Sequence, residues 1–123
     1  MSLFITMGSF AQTHSGTCGA NLTWTLNASV LTISGTGAMT NYTYMELGND
    51  TYITSAPWGT HASSLKSLVI NEGVTHIGDN AFSYCIGFTG NLTIPNSVKT
   101  IGMSAFRNCT GFKGSLTPNS ALF

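Results

Sequence analysis

The most regular feature of the chain is an apolar pattern that repeats every 24 residues. Leu68-Val69-Ile70 recurs as Leu92-Thr93-Ile94, and Ala81-Phe82 recurs as Ala105-Phe106. The same spacing joins Val74 to Val98, Ile77-Gly78 to Ile101-Gly102, Cys85 to Cys109, Phe88 to Phe112 and Gly90 to Gly114. A fixed period of this length is typical of repeat proteins. It defines two full units from about Leu68 to Leu116 and a third that begins at Leu116-Thr117.

Each unit contains the signals of a short strand, a turn and one turn of helix. Leu92-Thr93-Ile94 alternates apolar and polar residues, which predicts a short strand ended by the turn residues Pro95-Asn96-Ser97. Gly78 and Gly102 then suit a backbone position with positive φ. Asp79, or Ser104 in the second unit, is a candidate N-cap for one helical turn. A unit therefore predicts a coil made of a short strand and a one-turn helix.

A unit of this size cannot bury its own apolar face, whereas stacked units can. Stacking places like residues above one another, so Phe82 should lie over Phe106. Cys85 and Cys109 should lie one coil apart in an interior column as buried apolar thiols, with a disulfide or a bound metal as the alternatives. The predicted inward set is Leu68, Ile70, Val74, Ile77, Ala81, Phe82, Cys85 and Phe88.

The N-terminal half has a different pattern. Alternation in Leu22–Leu26 and Val30–Ser34 predicts a β-hairpin with the three-residue loop Asn27-Ala28-Ser29. Residues 40–55 have no period and are interpreted as a loop crossing an apolar surface. Trp24 and Trp58 are interpreted as the core of a cap that shields the end of the stack, or alternatively as an exposed sugar-stacking platform. We divide the chain into a leader or tag (1–17, expected to be disordered), a β cap (18–64) and repeats (65–123).

The finer motifs resemble those of the BspA-like leucine-rich repeats. In the first unit these motifs run from Val74-Thr75-His76-Ile77-Gly78 to Cys85, and upstream they include Cys18-Gly19-Ala20-Asn21-Leu22-Thr23-Trp24 and Ala56-Pro57-Trp58. The family comprises surface proteins of anaerobic gut and oral bacteria and of a parasitic protist. The resemblance implies a leucine-rich-repeat-like solenoid of short parallel strands and one-turn helices with a 24-residue period, capped by an N-terminal β-hairpin segment. It also implies adhesion to matrix proteins such as fibronectin or fibrinogen.

The composition narrows the function classes. Only 7% of the residues are charged, and the formal net charge is zero. A nucleic-acid-binding surface needs clustered Lys and Arg, and four scattered cations do not form one. Surfaces rich in Thr, Ser, Asn and Gly favour a secreted or cell-surface location. The apolar segment Leu3–Phe10, followed by Ala11, is similar to the end of a signal peptide, although the basic start is absent.

No pattern in the chain predicts chemistry. Glu46 and Asp50 are the nearest pair of carboxylates that could act in glycoside hydrolysis, but nothing around them suggests a cleft. The cysteines and histidines have none of the spacings of a zinc site, and no nucleotide-binding or nucleophile motif occurs. The sequence therefore predicts a protein that is not an enzyme, with no catalytic residues, cofactor or metal.

The predicted function is a non-catalytic, extracellular protein-interaction module. It would bind host or neighbouring-cell proteins through the exposed repeat sheet, where strand residues alternate between faces. The alternative is a structural spacer or a carbohydrate-binding accessory segment of a larger surface protein. An open end of the stack also predicts self-association through residues 112–123. The candidate binding residues are Val69, Asn71, Asn91, Thr93, Ser115 and Thr117.

Overall fold

The computed structural model describes residues 13–112. Within this range the chain is built of short strands and one 3₁₀ helix, Gly59–Ser64, and it contains no helix that is long and apolar enough to cross a membrane. The strands are β1 (Thr13–Gly19), β2 (Leu22–Asn27), β3 (Val30–Gly35), β4 (Gly37–Ala38), β5 (Tyr44–Gly48), β6 (Thr51–Thr54), β7 (Ser67–Ile70), β8 (Val74–Ile77) and β9 (Thr100–Ile101). Ser115, Thr117 and most of the predicted self-association segment lie outside the described residues.

The largest sheet has four strands in the order β1-β2-β3-β7. Strands β1, β2 and β3 pair antiparallel, and β7 pairs with β3 in parallel. Side chains along each strand alternate between the two faces of the sheet. Trp24, Ile33 and Ile70 lie side by side on neighbouring strands, point inward and are buried. The second sheet, β4-β8-β9, is parallel and continues the same stacking direction.

The predicted N-terminal hairpin is present, with a tighter turn than the sequence pattern indicated. Asn27 pairs directly with Val30, so the loop contains two residues rather than three. Its central residues, Ala28 and Ser29, have φ of 52° and 73°, and positive φ at both central residues is the mark of a type I′ turn. The first strand begins at Thr13. Residues 13–17, which the sequence analysis assigned to the leader, therefore belong to the sheet.

Parallel stacking begins well before residue 65. Val30 pairs with Ser67 and Gly37 pairs with Val74, so β3 and β4 form a coil that lies directly on the first sequence repeat. These pairs are 37 positions apart, whereas Trp58 stacks on Phe82 at the repeat spacing of 24. About 13 additional residues therefore lie between β4 and Trp58.

The additional residues form a second hairpin, so the interpretation of residues 40–55 as a loop is wrong. Strands β5 and β6 pair antiparallel from Tyr44↔Thr54 to Gly48↔Thr51. Asn49 and Asp50 occupy the turn with φ of 54° and 59°. Every residue of β5 is exposed. Because neither face of this strand is buried, its sequence shows no alternation of apolar and polar residues.

The predicted one-turn helices are absent, because the chain at residues 79–85 bonds alternately to itself and to the next coil. The amides of Asn80, Phe82 and Tyr84 donate to the carbonyls of Met103, Ala105 and Arg107 at 2.7–2.9 Å. The intervening amides close tight turns, as from Ala81 to the Gly78 carbonyl. This alternation requires left-handed residues, which occur at matching positions of the two units: Asn80 and Tyr84, then Ser104 and Asn108, with φ between 53° and 62°.

The expectation of positive φ at Gly78 and Gly102 is also wrong. Neither glycine has a positive φ. Each is required because the preceding coil passes too close for a Cβ atom: at Gly78 it would collide with the Thr40 carbonyl oxygen, and at Gly102 with Asp79. Glycine thus sets the separation between coils rather than the handedness of a turn.

The second repeat strand is reduced in the structure. Between residues 90 and 94 the described chain has only single-residue bridges, at Gly90 and Thr93. Leu92 and Ile94 are nevertheless buried, and Thr93 is exposed. The predicted alternation of faces is therefore correct, although no regular strand forms there.

The core contains the predicted aromatic column. Phe82 is fully buried and stacks on Phe106 with ring centroids 5.3 Å apart and planes 15° apart. On its other side it stacks on Trp58 at 5.4 Å. A second pair, Phe88 and Phe112, stacks at 5.4 Å beside this column. The other predicted inward residues are buried or, for Leu68, partly buried against the core.

Candidate functional site

The outward side chains of the four-stranded sheet form one continuous surface, which we call the outer sheet face. Val69, one of the predicted binding residues, is 42% exposed on β7 and lies beside Thr32 on β3. Asn71, which directly follows β7, is exposed and donates from its side-chain amide to the Ser34 hydroxyl at 3.0 Å. The structure thus joins these two predicted residues to side chains of the N-terminal hairpin.

The outer sheet face is wider than the sequence analysis predicted. Pairing of β1 with β2 and of β2 with β3 extends it by two more strands on the side opposite β7. The alternation in β2 contained the signal for this extension, but the hairpin was interpreted only as part of a cap that shields the end of the stack. The face consists of neutral side chains: Thr13, Ser15, Thr17, Thr23, Thr25, Asn27, Val30, Thr32, Ser34, Ser67, Val69 and Asn71.

Two further predicted binding residues, Asn91 and Thr93, are exposed on the next coil. The amide of Thr89 donates to the Lys66 carbonyl at 2.9 Å, and the amide of Gly73 donates to the Ser97 hydroxyl at 3.0 Å. These bonds hold the segment containing Asn91 and Thr93 next to β7 at both ends. Predicted residues Ser115 and Thr117 fall outside the described part of the chain.

A second candidate site lies where the inserted hairpin meets the stack. A cavity of about 270 Å³ opens between β5–β6, the 3₁₀ helix and the turn after Phe82. We call it the tyrosine groove, because the rings of Tyr52 and Tyr84 lie in its wall. Its lining consists of Leu47, Thr51, Tyr52, Ile53, Gly59, Thr60, Ala62, Ser63, Tyr84 and Ile86, all of them neutral.

The hairpin β5–β6 forms one wall of the tyrosine groove, and its second strand, β6, contacts the stacked coils. Tyr52 stacks on Tyr84 with ring centroids 5.3 Å apart, and Tyr44 packs edge-on against Tyr52 at 5.9 Å. The buried Thr54 hydroxyl donates to the Asn80 carbonyl at 2.6 Å. The Arg107 guanidinium lies 5.9 Å from the centroid of the Tyr84 ring. These contacts tie the hairpin to the turn that carries Asn80 and Tyr84.

The three cysteines are free thiols, which was the prediction for Cys85 and Cys109. Cys18 and Cys85 are buried, and Cys109, half-buried, contacts the Phe82 carbonyl through Sγ at 3.0 Å. Burial raises the pKa of Cys18 to about 11 and that of Cys109 to about 12. Burial, and then the neighbouring Cys109, also raises the pKa of Cys85. Since only the thiolate is nucleophilic, these thiols are unreactive at neutral pH.

The two tryptophans are core residues and provide no sugar platform. Trp58 is fully buried, and its indole Nε1 donates to the Ala81 carbonyl at 2.8 Å. Trp24 packs edge-on against Trp58 at 5.8 Å. Its own Nε1 is buried without a hydrogen-bond partner, facing Gly16 across the sheet.

Two titratable side chains, His76 and Asp79, link neighbouring coils. His76 Nε2 lies within hydrogen-bond distance of the Asn41 side-chain oxygen at 3.0 Å, and Nδ1 lies 2.6 Å from the Thr100 hydroxyl. The Asp79 carboxylate accepts from the amide of Met103 at 2.9 Å. The rings of His14 and His61 pack with centroids 4.5 Å apart and planes tilted by 34°. Within residues 13–112, no group of three or more His, Cys, Asp or Glu side chains is placed to hold a metal ion.

Residues 39–121 match the family described as the BspA type Leucine rich repeat region, which has six copies of the repeat. The match begins at Met39, inside the segment that the sequence analysis assigned to the cap. Its start agrees with the early onset of parallel stacking in the structure. A comparison with curated proteins found no match.

Among solved structures, the chain is similar to a leucine-rich repeat protein from Eubacterium ventriosum ATCC 27560, known from a crystal structure at 2.50 Å resolution. The TM-score is 0.71 and the sequence identity is 28%. The similarity covers 90% of this chain and 27% of that one. This chain therefore spans about a quarter of the length of the protein it matches.

Proposed function

Because the chain belongs to the BspA-type leucine-rich-repeat family, whose members are generally non-catalytic interaction or surface modules, we propose that it binds protein partners at a cell surface. In this proposal the outer sheet face and its continuation at Asn91 and Thr93 form the binding surface. The partner class follows from the family resemblance, which points to matrix proteins such as fibronectin or fibrinogen.

The observation that carries the proposal is the composition of the outer sheet face. Its four strands expose rows of hydroxyl and amide groups around Val69, with no charged side chain in any row. Repeat proteins commonly bind along such extended surfaces. Charged groups mainly accelerate association and exclude wrong partners, so a neutral face favours slow association. Its small side chains favour weak contacts at each coil.

We further propose that the coils form a solenoid of 24-residue period, closed at its first end by β1 and β2. Additional coils would lengthen the outer sheet face without changing its chemistry. Linked weak sites can raise overall avidity by about 10²–10⁴ over a single contact. The proposed adhesion is therefore multivalent, and this chain alone should bind weakly.

The experiment compares the chain as a monomer with the same chain displayed on a tetrameric scaffold, over immobilised fibronectin and fibrinogen. We expect measurable binding of at least one matrix protein by the displayed form and little by the monomer. Val69→Trp and Thr93→Trp should weaken this binding, because both side chains point outward. The charge reversals Lys66→Glu and Lys99→Glu are matched surface controls and should have little effect.

Two outcomes would contradict the proposal. Binding that survives both tryptophan substitutions but disappears when β5 and β6 are altered would move the protein-binding site away from the outer sheet face. Absence of binding even in the displayed form would favour the structural-spacer alternative.

A further inference from the structure

We propose that the tyrosine groove is a binding site for a neutral saccharide, distinct from the outer sheet face. The groove shares no residue with the outer sheet face that carries the proposed protein adhesion. Three features of the groove support a saccharide ligand: its origin as an insertion, the chemistry of its lining and its size.

The groove exists only because the first coil contains extra residues. Trp58 and Phe82 keep the repeat spacing of 24, while the paired strands before them are 37 positions apart. The difference is accounted for by the hairpin β5–β6. Insertions in repeat proteins are often found on a binding face. This hairpin contributes little to the core, since β5 is exposed throughout, yet Tyr52 and Thr54 anchor it firmly to the stack.

The lining combines apolar surface with hydroxyl groups and lacks charge. Leu47, Ile53 and Ile86 provide aliphatic walls next to the two tyrosine rings, and the remaining polar positions are hydroxyls: Thr51, Thr60 and Ser63. Ligand sites are typically apolar clefts with a few placed polar groups. A pyranose ring has the complementary surface, with C–H groups on its faces and hydroxyls around its edge. An ionic ligand would find no counter-charge in this lining.

The size limits the ligand to one or two sugar rings. The cavity volume of about 270 Å³ is slightly below the range of small-molecule pockets, roughly 300–1,000 Å³. The groove is open to solvent along Ile86, which is 58% exposed. A terminal residue of a longer glycan can therefore enter while the rest of the glycan stays outside.

The test is a titration of the full chain, followed by NMR, with the methyl glycosides of glucose, galactose, mannose and N-acetylglucosamine. N-acetylneuraminic acid serves as the charged comparison. We expect saturable shift changes with at least one neutral glycoside, confined to the groove residues, and a weaker response to the acid. The blocking variant is Ile86→Arg, which places a long cation in the groove mouth. At so exposed a position, substitution should leave the fold intact.

The matched control is Met103→Arg, because Met103 is 76% exposed and lies outside the groove. We expect Ile86→Arg to weaken glycoside binding by about tenfold or more, and Met103→Arg to leave it unchanged. The proposal is overturned if no neutral glycoside shifts the groove residues, if the shifts map to the outer sheet face, or if both variants bind equally. It is also overturned if Ile86→Arg abolishes matrix-protein binding while no glycoside binds, since the groove would then hold a protein side chain.

Discussion

Trp58 is the residue at which the N-terminal sheet, the inserted hairpin and the first repeat meet. Its ring stacks on Phe82 and makes T-shaped contacts with Trp24 and Tyr42, both with ring centroids 5.8 Å apart. Its indole N–H reaches the Ala81 carbonyl on the next coil. Trp24 is similarly buried but its N–H has no partner. Two tryptophans in contact thus differ in a single hydrogen bond.

This difference predicts unequal effects of the same substitution. Trp58→Phe removes the donor from the Ala81 carbonyl, and leaving a buried polar group unpaired costs about 1–3 kcal/mol. Trp24→Phe loses similar ring area but also removes an unpaired N–H, so its cost should be smaller by about 1 kcal/mol or more. Urea unfolding followed by circular dichroism measures both. Equal losses of unfolding free energy would show that the Trp58 hydrogen bond contributes no net stability.

At the scale of the element, two hairpin turns of the same sheet differ in their backbone conformation. The turn between β2 and β3 holds Ala28 and Ser29 at positive φ, although neither is a residue that favours that region. The turn between β1 and β2 also has two residues, Ala20 and Asn21, but neither has a positive φ. The same sheet therefore contains a strained turn and an unstrained one.

Relieving the strained turn should stabilise the chain. Left-handed backbone costs an ordinary L-residue roughly 1–2 kcal/mol, and Asn-Gly is the preferred pair in a type I′ turn. We expect the double substitution Ala28→Asn with Ser29→Gly to raise the free energy of unfolding by about 1 kcal/mol. The control, Ala20→Asn with Asn21→Gly, should give no gain. Thermal unfolding of both double variants measures the change. An equal gain in unfolding free energy from both would show that Ala28 and Ser29 are not strained.

At the scale of the whole molecule, the coils are joined by columns of like side chains. Trp58, Phe82 and Phe106 form a continuous stack through three successive coils. Backbone bonds run beside it, as from the Phe82 amide to the Ala105 carbonyl. Each coil contacts its neighbours along this direction, so stability should depend on the interfaces between coils.

The central ring of the column should matter most. Phe82→Ala removes a fully buried side chain that contacts the coils on both sides, and such truncations typically cost about 3–5 kcal/mol. Phe106→Ala is the matched control. Phe106 is half-buried and has one parallel stacking partner among the described residues, so its loss should be clearly smaller. Differential scanning calorimetry gives both values, and a Phe106 variant as unstable as the Phe82 variant would contradict this ranking.

The sequence alone determined the features that depend on local period and alternation. Residues 24 positions apart were assigned to equivalent places, and Phe82 over Phe106 followed from that. Period-two alternation placed Leu92 and Ile94 inside and Val69 and Thr93 outside. These predictions succeed because equivalent positions in stacked coils must meet the same environment, whatever the rest of the chain does.

Only the tertiary structure decided where the stack begins and what lies beside it. The first coil carries the strand motif, since Leu31-Thr32-Ile33 is identical to Leu92-Thr93-Ile94, but not at the 24-residue spacing. Trp58 takes the place of Phe82 there, and the hairpin β5–β6 displaces the register of β3 and β4 by about 13 residues. The turns at Asn80 and Tyr84 resemble a helical segment in sequence, yet their amides bond to the next coil. The outer sheet face and the tyrosine groove both arise from such long-range pairing. Local propensity cannot predict it, because the bonding partners lie on other coils.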